Sequence, residues 1–151
     1  MDSTGLVLWR SRRVTNRKQG ERYDDSWPQE EEVFGIPATA ALYRRAALEE
    51  ASPEHQVFDE LFVSYKEDVD LAWRLQLAGW QSWYVSQAIA YHDRKLSGGP
   101  QDSLRELAVR HRGFPRDYKL YSWVNHLATL IKNESWVSLA RDLPWFLSHE
   151  A

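Results

Sequence analysis

The run Phe58-Asp59-Glu60-Leu61-Phe62-Val63-Ser64-Tyr65-Lys66-Glu67-Asp68-Val69-Asp70-Leu71-Ala72-Trp73-Arg74-Leu75-Gln76-Leu77-Ala78-Gly79-Trp80 constrains the fold more than any other segment of the chain. Glu67, Asp68 and Asp70 crowd one short stretch, where carboxylates complement the positive end of a helix dipole, so a helix is predicted to begin near Lys66. Gly79 stands where a left-handed C′ residue ends such a helix, and Leu71, Ala72, Leu75 and Ala78 supply its apolar stripe. Trp80–Val85 and Ala88–His92 read as two short strands after it, followed by a loop of flexible composition at Lys95–Pro100. A helix set among short strands places the chain in the α/β class.

Upstream, Leu6–Trp9 reads as a strand, and the charged stretch 10–32 as a long loop. Val33–Pro37 looks like a strand entering a turn, Thr39–Tyr43 like a second extended piece, and Arg44–Ala51 like a short helix. From Gln101 onward the pattern is helical. Its predicted apolar faces are Leu104, Leu107 and Ala108, then Leu120, Trp123, Val124, Leu127 and Leu130, then Trp136, Leu139, Leu143 and Phe146, with Pro144 expected to break or kink the last helix.

Composition removes several classes of function. The 151 residues, 43% of them hydrophobic, suffice for one domain with a core. Lys and Arg total 19 against 22 Asp and Glu, so no general basic field exists to hold nucleic acid, and no nucleic-acid partner is expected. Cysteine is absent, which excludes disulfides, thiol nucleophiles and cysteine-type zinc sites. No apolar run reaches the roughly 18 residues of a membrane span, and Met1-Asp2-Ser3-Thr4-Gly5 lacks the blocks of a signal peptide. The expected location is the cytoplasm, with peripheral contact at the inner face of the cytoplasmic membrane an alternative raised only by the C-terminal helices and the resemblance given below. The 8 Trp and 7 Tyr exceed ordinary core needs and suit sugar faces, interfaces or a membrane surface. Trp73 and Trp83 are predicted in the core, whereas Trp80 is a candidate substrate contact.

The chemistry rests on five carboxylates within twelve residues, at 59, 60, 67, 68 and 70. At a helix start, one member of the Glu67–Asp68 pair can face a cleft while backbone N–H groups keep it ionised. Such a group can take a proton from an alcohol, the task of a general base when a hydroxyl attacks an activated carbon. The plainer alternative is that these acids only favour the helix start, with Asp70–Arg74 and Lys66–Asp70 as i,i+4 pairs.

Tyr65-Lys66-Glu67-Asp68-Val69-Asp70-Leu71-Ala72-Trp73-Arg74, then Ala78-Gly79-Trp80, then Ala90-Tyr91-His92, resembles the C-terminal half of the catalytic domain of family 2 glycosyltransferases, particularly the rhamnosyltransferase-like bacterial members. Asp2–Gly5, Val33–Gly35, Ala40–Leu48 and Phe58–Glu60 agree with the same family, so the resemblance covers about residues 1–133. It implies the C-terminal part of a GT-A domain, an α/β Rossmann-like nucleotide-sugar transferase fold, over residues 1–100, followed by a helical extension over 101–151. It also implies an inverting enzyme that transfers a sugar from a nucleotide-sugar donor to a saccharide or lipid-linked hydroxyl acceptor, in cell-envelope polysaccharide or glycolipid synthesis.

Carried over by residue, the resemblance makes Asp68 the catalytic base and Glu67 its acidic neighbour, with Asp70, Trp80, Arg94 and Lys95 toward substrate. It makes His92 a ligand to a divalent cation, Mg or Mn, in the complete enzyme. A histidine closing a strand is also an ordinary structural residue, and Arg94 and Lys95 also read as an exposed basic loop. The family's metal-binding Asp-x-Asp pair has no counterpart before residue 58, and Asp68-Val69-Asp70 occupies the later acidic motif. The chain therefore reads as half a catalytic domain, inactive by itself and prone to associate through sheet edges. The alternative function is a catalytically silent remnant or a carbohydrate-binding or interaction module. Arg110, Arg112, Arg116, Lys119 and Lys132 beside Phe114, Tyr118, Tyr121 and Trp123 would suit either a membrane surface or packing on the missing half.

Overall fold

The structure, a computed structural model, describes residues 1–52, 56–91 and 116–150. In chain order they form β1 (Leu6–Leu8), β2 (Val14–Asn16), β3 (Glu30–Val33), a 3-10 turn (Ala38–Ala40), α1 (Arg45–Ala51), α2 (Glu67–Leu77), β4 (Ser82–Val85), α3 (Arg116–Asn133) and α4 (Trp136–Glu150). The architecture is mixed α/β with small sheets. Among the described residues both sheets are antiparallel pairs, β1 with β2 and β3 with β4, and a single bridge from Leu6 to Gly35 links them.

The charged stretch 10–32 is not one loop. Trp9 N–H donates to the Arg13 carbonyl and Arg12 N–H to that of Trp9, with Arg12 left-handed at φ 63°, so the chain reverses and pairs Val14–Asn16 with Leu6–Leu8. Glu30–Val33 then runs as a strand against Ser82–Val85. Charge hid β3, whose Glu31 is satisfied by a partner distant in sequence, and β2, Val14-Thr15-Asn16, is too short to stand out from its charged neighbours. Arg17 donates to Thr4 and pairs with Glu31. Thr39 and Ala40, read as extended, lie in the 3-10 turn, and the chain is extended at Ala41 and again at Arg44.

Helix α2 is the centre of the core. Val69 and Ala72 pack on Leu6 and Val14, while Leu71 and Leu75 pack on Ala47 and Ala51 of α1. Trp73 is buried as predicted, edge-to-face with Phe34 at 5.8 Å. Close packing needs Gly35, since a Cβ there would lie 2.3 Å from that of Ala72. The helix ends in a Schellman motif, in which Gly79 at φ 82° donates to the Gln76 carbonyl and Trp80 to that of Leu75. Trp80 then packs against the α1–α2 cluster.

Three further expectations are corrected. Trp83 is 48% exposed instead of buried, because it stands opposite Glu32 on a two-stranded sheet that no described element covers on that side. Ala88–Tyr91 forms no strand. Ser86 and Gln87 turn after β4, and Ile89 and Tyr91 lie exposed. Pro144 lies inside α4 without ending it. The carbonyl its ring leaves without a helical partner belongs to Ala140, an exposed residue that water can reach. No described helix is long and apolar enough to cross a membrane.

Helices α3 and α4 bury only part of the apolar pattern read from their sequences, since Leu127, Leu130, Leu139 and Phe146 are half-buried and the rest of it is exposed. In α3, Leu120, Trp123 and Val124 are exposed, whereas Asn125, Thr129 and Asn133 are buried. In α4, Trp136 is 86% exposed and Leu143 is also exposed, whereas Asp142 is buried. The buried faces are polar because they meet charges. Asn133 donates to Asp70 at 2.8 Å, and Arg12 pairs with Glu134 and Asp142 and donates to Ser138 at 2.9 Å.

Candidate active site

Two left-handed residues launch the acidic helix. Tyr65 at φ 69° and Lys66 at φ 74° precede Glu67, and neither is glycine. Such backbone costs of the order of 1–3 kcal/mol per residue and persists only where its surroundings hold it. Asn125 of α3 supplies that hold, donating to the carbonyls of Ser64 at 2.9 Å and Tyr65 at 2.8 Å. Two carbonyl acceptors at these distances require the NH2 end of the amide, so its orientation is fixed by chemistry.

Asp68 leaves this turn half-buried, beside the 3-10 turn. Burial raises its pKa above the ordinary aspartate range, while hydrogen bonds from the N–H groups of Ala38 and Val69, and the charge of Lys66, pull it back. The Val69 N–H lies 2.8 Å from its Oδ1. Glu67 is raised mainly by burial, and its Oε2 is a buried acceptor with no hydrogen-bond partner. Burial lowers the pKa of Lys66 and lifts that of Tyr43 to about 12, the latter with help from the Asp68 charge. Two adjacent carboxyl groups, each partly removed from water, can hold or accept a proton nearer neutrality than ordinary carboxylates do.

Asp70 is placed differently. It is wholly buried, with Oδ2 accepting from Arg74 Nε at 2.9 Å and Oδ1 from Asn133 at 2.8 Å, and Lys132 Nζ stands 3.0 Å away. Arg74 also donates to the carbonyls of Ala51 and Val57, fastening the end of α1 and the loop beyond it. Lys132 also meets Asp59 at 2.7 Å, holding that carboxyl below its usual range, and lies over the Phe62 ring at 5.1 Å. The Asp70–Arg74 helix pair is therefore present, extended into a junction between α2 and α3.

The structure thus brings Glu67 and Asp68 together at one end of α2, with Asp70 one turn in, behind them. Trp80 lies beyond the other end, about 16 Å along an eleven-residue helix, and donates from Nε1 to Glu50 at 2.9 Å. His92, Arg94 and Lys95 lie outside the described residues. Among the described residues no three His, Asp or Glu side chains gather to hold a metal ion, and the oxygens of Asp70 are already engaged. By themselves the described residues do not make a divalent-cation site.

Sequence reasoning missed Asn125, Thr129 and Asn133, and with them Arg12, and it gave Lys132 to a membrane surface or the missing half instead of to Asp59 and Asp70. The available signal was the i, i+4, i+8 spacing of Asn125, Thr129 and Asn133, one polar line along a helix.

Similarity to known proteins agrees with the rhamnosyltransferase-like resemblance of the sequence. The chain is 38% identical over 85 residues to N-acetylglucosaminyl-diphospho-decaprenol L-rhamnosyltransferase of Mycobacterium tuberculosis, strains CDC 1551 / Oshkosh and ATCC 25618 / H37Rv alike. The aligned stretch is 56% of this chain and 26% of the relative, so the chain matches about a quarter of the length of these curated relatives. No protein-family model and no solved structure matches. The chain is rhamnosyltransferase-like over that span.

Proposed function

We propose that this chain carries the acceptor-side half of a family 2, GT-A glycosyltransferase. It passes a sugar, rhamnose being the first candidate, from a nucleotide donor to a hydroxyl of a lipid-linked saccharide, with inversion at the anomeric carbon. The observation that carries this reading is Asp68, half-buried and restrained by backbone N–H groups at the start of α2, beside a Glu67 oxygen with no partner. Ionised Asp68 takes the acceptor proton as the hydroxyl oxygen attacks the anomeric carbon and the bond to the nucleotide diphosphate breaks. Glu67 keeps a second acceptor beside it.

The nucleotide-binding strands are assigned to residues outside this chain. His92, Arg94 and Lys95 are assigned to the donor diphosphate and its cation. Exposed Trp136, Leu143 and Leu147 share one face of α4 and suit the surface of a bilayer that carries a polyprenol acceptor.

The test is sugar transfer from nucleotide-activated rhamnose to N-acetylglucosaminyl-diphospho-polyprenol, by this chain supplemented with the N-terminal half of a relative. Folded Asp68→Asn is expected to lower turnover by about 10²–10⁴-fold, and the wild-type rate to fall as pH drops through the raised Asp68 pKa. Undiminished turnover by the folded variant removes Asp68 as base. Saccharide binding without transfer in every supplemented form would favour a binding module instead.

A further inference from the structure

We propose that Asn125 is the positioning residue of the acidic pair, setting Glu67 and Asp68 through the left-handed turn that precedes them. The inference rests on the catalytic reading of Asp68 above and adds a residue that the acidic motif does not contain.

Four observations converge on it. The turn at Tyr65 and Lys66 uses a conformation that non-glycine residues avoid, so something outside the turn must hold it. Both donors of one buried amide go to the carbonyls of Ser64 and Tyr65, which fixes the peptide planes on either side of Tyr65. That amide comes from the buried face of α3, where Thr129 Oγ1 donates to the main-chain carbonyl of Asn125 at 2.8 Å and so fixes the backbone that carries it. One turn further, Asn133 reaches Asp70 at 2.8 Å, so α3 grips α2 on both sides of the pair, at residues 64–65 and at residue 70. Lys66 follows the clamped peptide, and its φ sets where α2 begins and therefore where Asp68 points.

A purely structural amide would leave the surroundings of Asp68 unchanged when removed from a folded protein. A positioning amide would not. Releasing the turn lets water reach Asp68, and the burial that raises its pKa weakens, while Lys66, Glu67 and Tyr43, the ionisable groups around it, are chemically unaltered.

The experiment follows the Asp68 carboxyl carbon by NMR titration in the full chain. Asn125→Ala is expected to lower its midpoint toward the ordinary aspartate value by at least about half a pH unit. Tyr65→Gly alone is expected to keep the wild-type midpoint, because glycine adopts the left-handed region freely. Asn125→Ala/Tyr65→Gly is expected to return the midpoint toward wild type. A folded Asn125→Ala with an unchanged midpoint overturns the proposal, and so does a folded double variant as displaced as the single one. Should Asn125→Ala fail to fold, a folded double variant with the wild-type midpoint supports the proposal, and a double variant that also fails to fold overturns it. The midpoint is read without turnover, so absence of sugar transfer by the wild type counts against the function proposed above while this titration still decides the role of Asn125.

Discussion

Helices α2 and α3 pack side by side and bury opposite kinds of surface. Helix α2 sends Val69, Leu71, Ala72 and Leu75 into two apolar clusters and admits one buried charge, Asp70. Helix α3 turns Asn125, Thr129 and Asn133 inward and leaves Leu120, Trp123 and Val124 toward solvent. The difference follows from what each face meets. The inner faces of α2 meet apolar side chains, whereas α3 meets the Asp70 carboxylate and the bare carbonyls of a left-handed turn, which only donors can satisfy. A buried helix face is chosen by its partner as much as by its own hydrophobicity.

The largest expected effect tests whether the polar seam is as necessary as the apolar one. Asp70→Ala leaves Lys132, Arg74 and Asn133 without their shared acceptor and is expected to cost about 3–5 kcal/mol in urea unfolding, comparable to the roughly 2–5 kcal/mol for Leu71→Ala. A loss below about 1 kcal/mol for Asp70→Ala would show that the seam is incidental to stability.

Next in size, Gly35→Ala forces a methyl onto Ala72 and is expected to cost about 1–3 kcal/mol, partly recovered by Ala72→Gly in the same chain. No recovery in thermal melts would mean that α2 does not press on the β1 side as closely as its apolar face implies.

A smaller and opposite effect comes from the site itself. Because burial raises the folded pKa of Asp68 above the unfolded value, its ionised form costs stability at neutral pH, and that cost disappears as pH falls through the folded pKa toward 3.8. Asp68→Asn is therefore expected to melt a few degrees above wild type at pH 7, with the gain fading in acid. A variant that is less stable at pH 7 would place Asp68 among the structural charges, beside Asp70.

The smallest effect sharpens the contrast most. Ile131→Ser and Trp136→Ser remove large apolar groups, yet both positions are more than 80% exposed, and each substitution is expected to change stability by no more than about 0.5 kcal/mol. A larger loss in calorimetry would show that these side chains are covered in solution.

Much of α2 was legible because its determinants are local. Acidic residues mark its first turn, Gly79 its last, and the 3.6-residue period its buried stripe. The pairing of Glu67 with Asp68 was legible for the same reason, since neighbours at a helix start stay neighbours in any fold. Strand β3 was hidden because its charged residues find partners far along the chain, as Glu31 does in Arg17, and β2 because its three uncharged residues are too few to show an alternation. Trp80 could be recognised as prominent but not as a helix-closing residue, because that role depends on Gly79 adopting a positive φ and on α1 standing beside it.

The sequence by itself determined where α1 and α2 lie, which acids stand at the head of α2, and that the core helix sits among short strands. Only the tertiary structure decided which of those acids serve the fold and which stay available for chemistry. Glu67, Asp68 and Asp70 are equivalent as letters, but one carboxylate faces Arg74, Lys132 and Asn133 across a helix junction, while the other two stand half-buried at its edge. The physical reason is that a carboxylate's role is set by the donors and the water within a few ångströms of it, and residues far apart in the chain supply those donors.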